Sequence, residues 1–359
     1  FDGSDNIIQY NEDDVFSDQT SGSISVWFKT SYSGNFQYLI SSGDDSTENN
    51  VLGFAIQNSS GGSSLYFYAL INGGAPGSLV KGSTNVADGK WHHAVVVSTG
   101  TQWKIYLDGV EESLTVVVGS NNGSWFGDVP DRNGYDIGRY RKSSPTYYFN
   151  GQIRDLKIFP SELDAADIRK LYSGENPKKN TNVDLLEGYG DGESASVSGW
   201  TNQSGATISS EDNTFKVTTT AAFVAAKRNV ATTEGKLYKV SALVKAGSVG
   251  ALLEITGTGL SSINSGTVTS SSFVRKTIFF TAASSTSVVE LQVQTNSSSG
   301  GTAYFDDITF VEVGTLVDFT PQSASSSTWR NEAIPALYNG TVNNATLSQG
   351  NTYWNNIKQ

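Results

Sequence analysis

Cysteine is absent from the sequence. Disulfides, thiol nucleophiles and cysteine-ligated zinc are excluded together, and the redox compartment stays open. Methionine is absent too, even at position 1, so the chain is expected to start after processing or to belong to a longer product. Charged residues make up only 16% and the formal net charge is −11. Such a chain repels a phosphate backbone or an anionic membrane surface, which argues against nucleic acid as a partner. No apolar run approaches the ~18 residues that span a bilayer, and nothing resembles a signal peptide, so no membrane insertion is expected. Only two histidines occur in 359 residues, and they are neighbours, His92 and His93.

Glycine is abundant, at 37 residues, and Ser, Thr and Asn are frequent, a profile of short strands and many turns. From Phe1 to Phe159, runs such as "SISVWFKT", "LYFYALI", "WHHAVVVS" and "QWKIYLDG" alternate with polar clusters. Asp108-Gly109 is a hairpin signal, because both residues accept the positive φ of a tight turn. "LDAADIRKLY" then switches to helical spacing, with Asp164 as N-cap and Asp167 as its reciprocal partner. Residues 175–182 read as a linker within "SGENPKKNTN". Strands resume from Val183, and in "VELQVQT" Val289, Leu291 and Val293 share one face while Glu290, Gln292 and Gln294 share the wet one. The expected fold is all-β: two consecutive antiparallel β-sandwich (jelly-roll) domains, 1–174 and 183–313, with one short helix ending the first. Residues 314–359 form a short C-terminal extension, expected to lie against a neighbour through Trp329, Tyr338 and Trp354 or to begin another contact unit.

The adjacent histidines invite a metal or catalytic reading, yet successive strand residues face opposite sides. Trp91, His93, Val95 and Val97 share one face; His92, Ala94 and Val96 share the other. A structural role in a strand covered on both faces is expected.

The segments "DGKWHHAVVV", "WKIYLDGVEE", "YDIGRY" and "YYFNGQIRDLKIFPSELDAADIRKLYSGE" resemble the laminin G-like and concanavalin A-like lectin and glucanase superfamily over residues 1–174. That resemblance implies a two-sheet jelly roll in which the Trp-His strand and the Asp-Gly turn belong to the scaffold. "NVDLLEGYGDGESASVSGW", "TEGKLYKVSALVKA", "FFTAASSTSVVELQVQT" and "GGTAYFDDITFVEV" are similar to the family 4/9 carbohydrate-binding modules, in which a tryptophan at the position of Trp200 is commonly core. "TWRNEAIPALYNGTVNNATL", residues 328–347, resembles a segment found beside laminin G-like modules in bacteriophage tail and fibre proteins. Both sandwich families often carry a structural calcium ion linking first and last strands. By position the resemblance suggests Asp2 and Asp155 in the first module and Glu193 and Asp306 in the second.

Sugar recognition needs aromatic platforms and hydrogen-bonding groups around them. "NNGSWFGDVPDRNGYDIGRYRKSSPTYY" supplies Trp125, Phe126, Tyr140, Arg141, Tyr147 and Tyr148, with Trp125 leading because it sits among Asn, Gly and Ser. The alternative reading is that these aromatics cover the sandwich edge. A glycosidase on this fold would show carboxylates at alternate strand positions. "NEDDVF" and "DGVEES" do not supply them, and a nucleophilic triad is equally poorly provided for. The expected function is therefore non-enzymatic adhesion to host-surface glycans by a virion surface protein, a phage tail-fibre or decoration component. Other virion proteins and further copies of the chain are the expected partners, in a homo-oligomer. The alternatives are a structural virion protein binding only capsid or tail proteins, and a fragment of a secreted bacterial glycosidase or adhesin at an extracellular or cell-surface location.

Overall fold

The alternating runs become strands in the structure, a computed structural model that describes residues 1–345 except 12–15, 17–18, 47–48, 60–61, 72–76, 145, 179, 181–182, 204, 295–299, 321–324, 326–327, 330, 332 and 334–339. Two compact units result: Phe1–Lys179 together with Gly314–Gln359, and Asn180–Val313.

The first unit opens with β1 (Ile7–Tyr10), β2 (Gly22–Lys29), β3 (Gln37–Gly43), β4 (Val51–Ser59), β5 (Gly62–Leu70) and β6 (Ser78–Lys81). It continues with β7 (Trp91–Ser98), β8 (Trp103–Leu107), β9 (Val110–Glu111), β10 (Thr115–Val118), β11 (Tyr135–Ile137), β12 (Gln152–Phe159) and helix α1 (Ala165–Tyr172). The second unit holds β13 (Thr201–Asn202), β14 (Ala206–Glu211), β15 (Thr214–Thr219), β16 (Ala225–Ala231), β17 (Leu237–Ala246), β18 (Gly250–Gly257), β19 (Leu260–Asn264), β20 (Val274–Thr281), β21 (Thr286–Gln294) and β22 (Gly301–Glu312). The chain then returns to the first unit as β23 (Val317–Phe319), β24 (Thr328–Trp329) and β25 (Gly340–Asn343).

The first unit is a sandwich of a nine-stranded sheet, β10-β6-β5-β4-β3-β11-β1-β25-β24, and a six-stranded sheet, β23-β12-β2-β7-β8-β9. Ile24, Val26 and Phe28 of β2, Ala94 and Val96 of β7, and Leu52, Phe54 and Phe67 of the other sheet are all buried. Burying each large apolar side chain contributes roughly 1.5–3 kcal/mol, and the strict period of two delivers them all to one face. The Asp108-Gly109 turn joins β8 to β9 with φ of 51° and 82°. Asp164 caps α1 by accepting from the backbone N–H groups of Ala166 and Asp167, both at 2.8 Å. Asp167, expected to reciprocate, instead pairs with Lys178 at 3.0 Å. Ile168 and Leu171 of the helix pack with Val95, Val97, Tyr106, Phe159 and Leu163 on the outer face of the six-stranded sheet. The His93 face of β7 is therefore covered, as the sequence implied.

The extension joins the sheets of the first unit. β23 pairs with β12 and β25 with β1. Trp329 is buried and stacks on Phe319 with centroids 5.2 Å apart. Tyr338 and Trp354 lie outside the described residues. The stretch read as linker is also tied to this unit, since the Lys178 carbonyl accepts from Thr315 Oγ1 at 2.6 Å. The second unit packs β13-β16-β21-β18-β19 against β14-β15-β22-β17-β20. Its core holds Trp200, Phe215, Val289, Leu291, Val293 and Phe305.

Candidate functional site

The outer face of the nine-stranded sheet carries a terrace of aromatic rings. The register sets Tyr38 opposite Ala55, Ala55 opposite Tyr66, and Gly53 opposite Tyr68, so three tyrosines rise on one face while Phe54 and Phe67 enter the core. The Tyr38 ring lies across Gly53, where an added Cβ would clash with Tyr38 Cε1. Tyr140 stacks on Tyr38, with centroids 4.7 Å apart and an interplanar angle of 25°. Phe36 leans on Tyr66 at 5.7 Å and on Tyr147 at 5.8 Å. Tyr147 caps the assembly, 41% exposed, 6.2 Å from Tyr140 and 6.4 Å from Tyr38. Its backbone sits at φ 58°, a region that bulky residues rarely enter. The Tyr147 carbonyl accepts from the Tyr38 N–H at 3.2 Å, which docks the loop onto β3. The Lys142 ammonium lies 5.4 Å from the Tyr140 centroid. Burial, with the neighbouring tyrosines, pushes the Tyr38 hydroxyl well above its ordinary pKa, so it stays neutral.

Arg141 corrects a sequence expectation. Its side chain is fully buried and offers nothing to a ligand. Nη1 donates to Asp136 Oδ1 at 2.8 Å, Nε to the Gly43 carbonyl at 3.2 Å, and Nη2 to Asn133 Oδ1 at 2.7 Å. Arg139 Nε meets the other oxygen of Asp136 at 2.5 Å. The Arg141 backbone N–H donates to Ser41 Oγ at 2.7 Å. The residue thus pins its own stretch of backbone, next to Tyr140, onto β3.

Trp125 and Phe126 are corrected in the same way. Trp125 is 1% exposed and stacks on Phe67 at 5.7 Å and 26°. Phe126 is as deeply buried, 4.8 Å from Phe16. Asn121 ties the loop to the protein by exchanging two hydrogen bonds with the Trp103 backbone, at 2.6 and 3.0 Å. The loop so tied drives both rings into the end of the sandwich, where neither presents a face to a sugar. Tyr148 is half-buried. Tyr140 and Tyr147 are thus brought together, joined by Phe36, Tyr38, Tyr66 and Tyr68, which the sequence reading missed. The signal was present in "NFQYL" and "LYFYAL", where aromatics two apart must share a strand face.

The four acids suggested for calcium do not converge. Asp2 accepts from the Ser4 N–H and hydroxyl at 2.9 and 2.8 Å, bonds that hold its pKa low. Asp155 sits in a β-bulge of β12 at φ 50°, with Arg154 Nε 3.8 Å away, and burial pushes its carboxyl up. Glu193 is exposed. Asp306 accepts from the Asp307 N–H at 2.8 Å, its pKa raised by burial despite that bond. Among the described residues no three His, Asp or Glu side chains form a metal-holding group.

In the second unit, the face read as wet is a polar ladder. Lys227 Nζ donates to Glu290 Oε1 at 2.9 Å, and Thr256 Oγ1 to the same oxygen at 2.7 Å. Gln292 Nε2 donates to Glu254 Oε2 at 2.9 Å. Glu290 is buried by these partners.

The histidines diverge as expected. His92 Nδ1 meets Asp108 Oδ2 at 2.8 Å and Nε2 meets Asp88 Oδ1 at 3.1 Å, and the bond to Asp108 leads in raising its pKa. His93 Nε2 meets Ser25 Oγ at 2.8 Å, and burial pushes its pKa down to about 3. The two link to stability with opposite signs. His92, raised when folded, contributes stability that is full below the ordinary 6.5 and lost as pH rises through its folded value. His93, depressed when folded, contributes nothing above 6.5 and costs stability as pH falls from 6.5 toward about 3, because the unfolded chain alone takes up the proton. The slope from one proton is at most ~1.4 kcal/mol per pH unit. Urea unfolding of His93→Gln is expected to show a shallower acid limb than the wild type; an equal slope would remove His93 as its source.

Residues 2–169 match the family model of the concanavalin A-like lectin/glucanases superfamily. The match takes in the terrace and most of α1. No curated protein matches the chain. Among solved structures, the chain is similar to the CBM40 of the Ruminococcus gnavus IT-sialidase bound to alpha2,3 sialyllactose, at 14% identity and a TM-score of 0.37, covering 42% of this chain and 82% of that one. It is similar to the native heptameric SAP-like pentraxin of Limulus polyphemus at 16% identity and a TM-score of 0.39, covering 49% and 82%. The CBM22-1 xylan-binding domain of Paenibacillus barcinonensis Xyn10C gives 18% identity and a TM-score of 0.26, covering 32% and 86%.

Proposed function

We propose that the protein is a non-enzymatic glycan-binding adhesin whose first sandwich takes sugar on the Tyr147 terrace. The observation that carries this reading is a large aromatic ring left 41% exposed at a positive φ of 58° and propped by other rings. Left-handed backbone at a non-glycine residue costs on the order of 1–3 kcal/mol, and such strain collects at ligand sites. A supported aromatic face suits the apolar face of a pyranose, and the Lys142 ammonium beside Tyr140 offers a hydrogen-bond donor. The superfamily match over residues 2–169 supports the lectin-like reading of this sandwich.

On a glycan array and in titration calorimetry, Tyr147→Ala is expected to weaken binding by about tenfold while leaving the melting temperature unchanged. Wild-type affinity in that variant would overturn the terrace. Placement on a virion surface, as a phage tail-fibre or decoration protein, rests on the sequence resemblance of residues 328–347; immunogold labelling of particles tests it separately. Tight assembly onto a capsid or tail protein with no glycan bound would favour the structural alternative.

A further inference from the structure

Lys157 and Asp318 lie directly opposite each other where β12 pairs with β23, and Lys157 Nζ stands 2.5 Å from Asp318 Oδ1. Their side chains are 11% and 15% exposed. The other lysine–carboxylate pairs of the described residues each leave the lysine at least a quarter exposed, such as Lys216–Glu211 at 27% and 44% and Lys236–Glu312 at 49% and 41%. Lys157–Asp318 is thus the pair enclosed on both sides, held by a fixed strand register rather than by two mobile surface chains. Enclosing an ammonium and a carboxylate carries a desolvation cost that their attraction offsets only in part. A neutral link between the same atoms removes both charges.

We propose that Lys157 and Asp318 form an intramolecular isopeptide bond. Within the pair a proton passes from the ammonium to the carboxylate, leaving an amine facing a carboxylic acid. The Nζ lone pair attacks Asp318 Cγ, the bond from Cγ to one oxygen breaks, and that oxygen leaves as water with two protons. One ammonium and one carboxylate become one secondary amide and one water, and no oxidant or co-reactant enters. Asn176 Nδ2, 3.4 Å from Asp318 Oδ2, helps to hold the carboxyl. Asp155, two residues before Lys157, is electrostatically coupled to both partners and supplies a further buried carboxyl beside them.

The bond would join β12 covalently to a three-residue edge strand otherwise held by ladder hydrogen bonds and by the burial of Val317 and Phe319. It would also close residues 157–318 into a covalent loop containing the whole second unit, so that tension applied outside that loop bypasses the second sandwich. This suits a protein that holds a surface under load, but the bond stands or falls independently of glycan binding.

The test is the intact mass of the full chain under denaturing conditions. The expected mass is one water below that of the sequence, and the full sequence mass would overturn the proposal outright. Tryptic mapping should join the peptide of residues 155–169 to that of residues 277–330, with cleavage after Lys157 blocked; a water loss mapped elsewhere would also overturn it. Lys157→Arg, which keeps a cation opposite Asp318 but cannot form this amide, should show its full sequence mass, and so should Asp318→Ala.

Discussion

Replacing Trp125 by alanine should lower the stability of the first unit by about 3–5 kcal/mol and leave sugar binding intact wherever the variant remains folded. The ring is 1% exposed, stacks on Phe67 and meets Phe126 edge-on at 5.2 Å. Alanine would remove those contacts and open a cavity that its neighbours cannot readily fill, because Phe67 is fixed on β5 and Phe126 begins a short 3-10 turn over residues 126–128. Each kcal/mol is worth about 2–4 °C in a domain of this size, so the melting temperature should drop by roughly 10 °C. Thermal unfolding measures the loss, and glycan titration well below the transition measures the binding. A loss of binding with unchanged stability would reverse the assignment and return Trp125 to the surface.

The error about Trp125 shows where sequence reasoning runs out. A tryptophan among Asn, Gly and Ser marks a loop, but composition does not say which way the ring points. Here Asn121 spends its amide on the Trp103 backbone, and Trp103 Nε1 donates to the Ser124 carbonyl at 2.8 Å, so the loop turns inward. The β7 strand was legible because period-two alternation leaves His92 and His93 no shared face. The Asp108-Gly109 turn and the Asp164 cap were legible because each is a local hydrogen-bond and φ requirement. The terrace was not, since Phe36, Tyr66 and Tyr147 become neighbours only through the order β5-β4-β3-β11, which no local pattern encodes. The strands within the extension were not legible for a related reason: β23 and β24 span three and two residues, too short for any alternation to declare a face.

Asp136→Ala is expected to be among the costliest single changes in the molecule, at about 3–5 kcal/mol. Asp136 is fully buried and engages Arg141 Nη1 at 2.8 Å and Arg139 Nε at 2.5 Å. Removing it would leave the Arg141 guanidinium, itself 1% exposed at the side chain, with neutral acceptors at Gly43 and Asn133 and, among the described residues, Asp45 at 3.2 Å as its remaining carboxylate partner. Asp45 is 42% exposed and so more strongly screened by water. The penalty comes from stranding a buried charge, so deleting both partners should cost less than deleting one. Urea unfolding of Asp136→Ala, Arg141→Met and the double variant forms a cycle in which a positive coupling of 2 kcal/mol or more is expected, about the size seen for contacting groups in one network. Additive losses, or a single-variant cost below ~1 kcal/mol, would mean that the network behaves as an exposed ion pair. The same variant should also weaken sugar binding without touching a sugar contact. Arg141 ties the backbone beside Tyr140 to Ser41 and Gly43, and Tyr147 keeps its unfavourable φ only while its carbonyl stays docked on the Tyr38 N–H of the same strand.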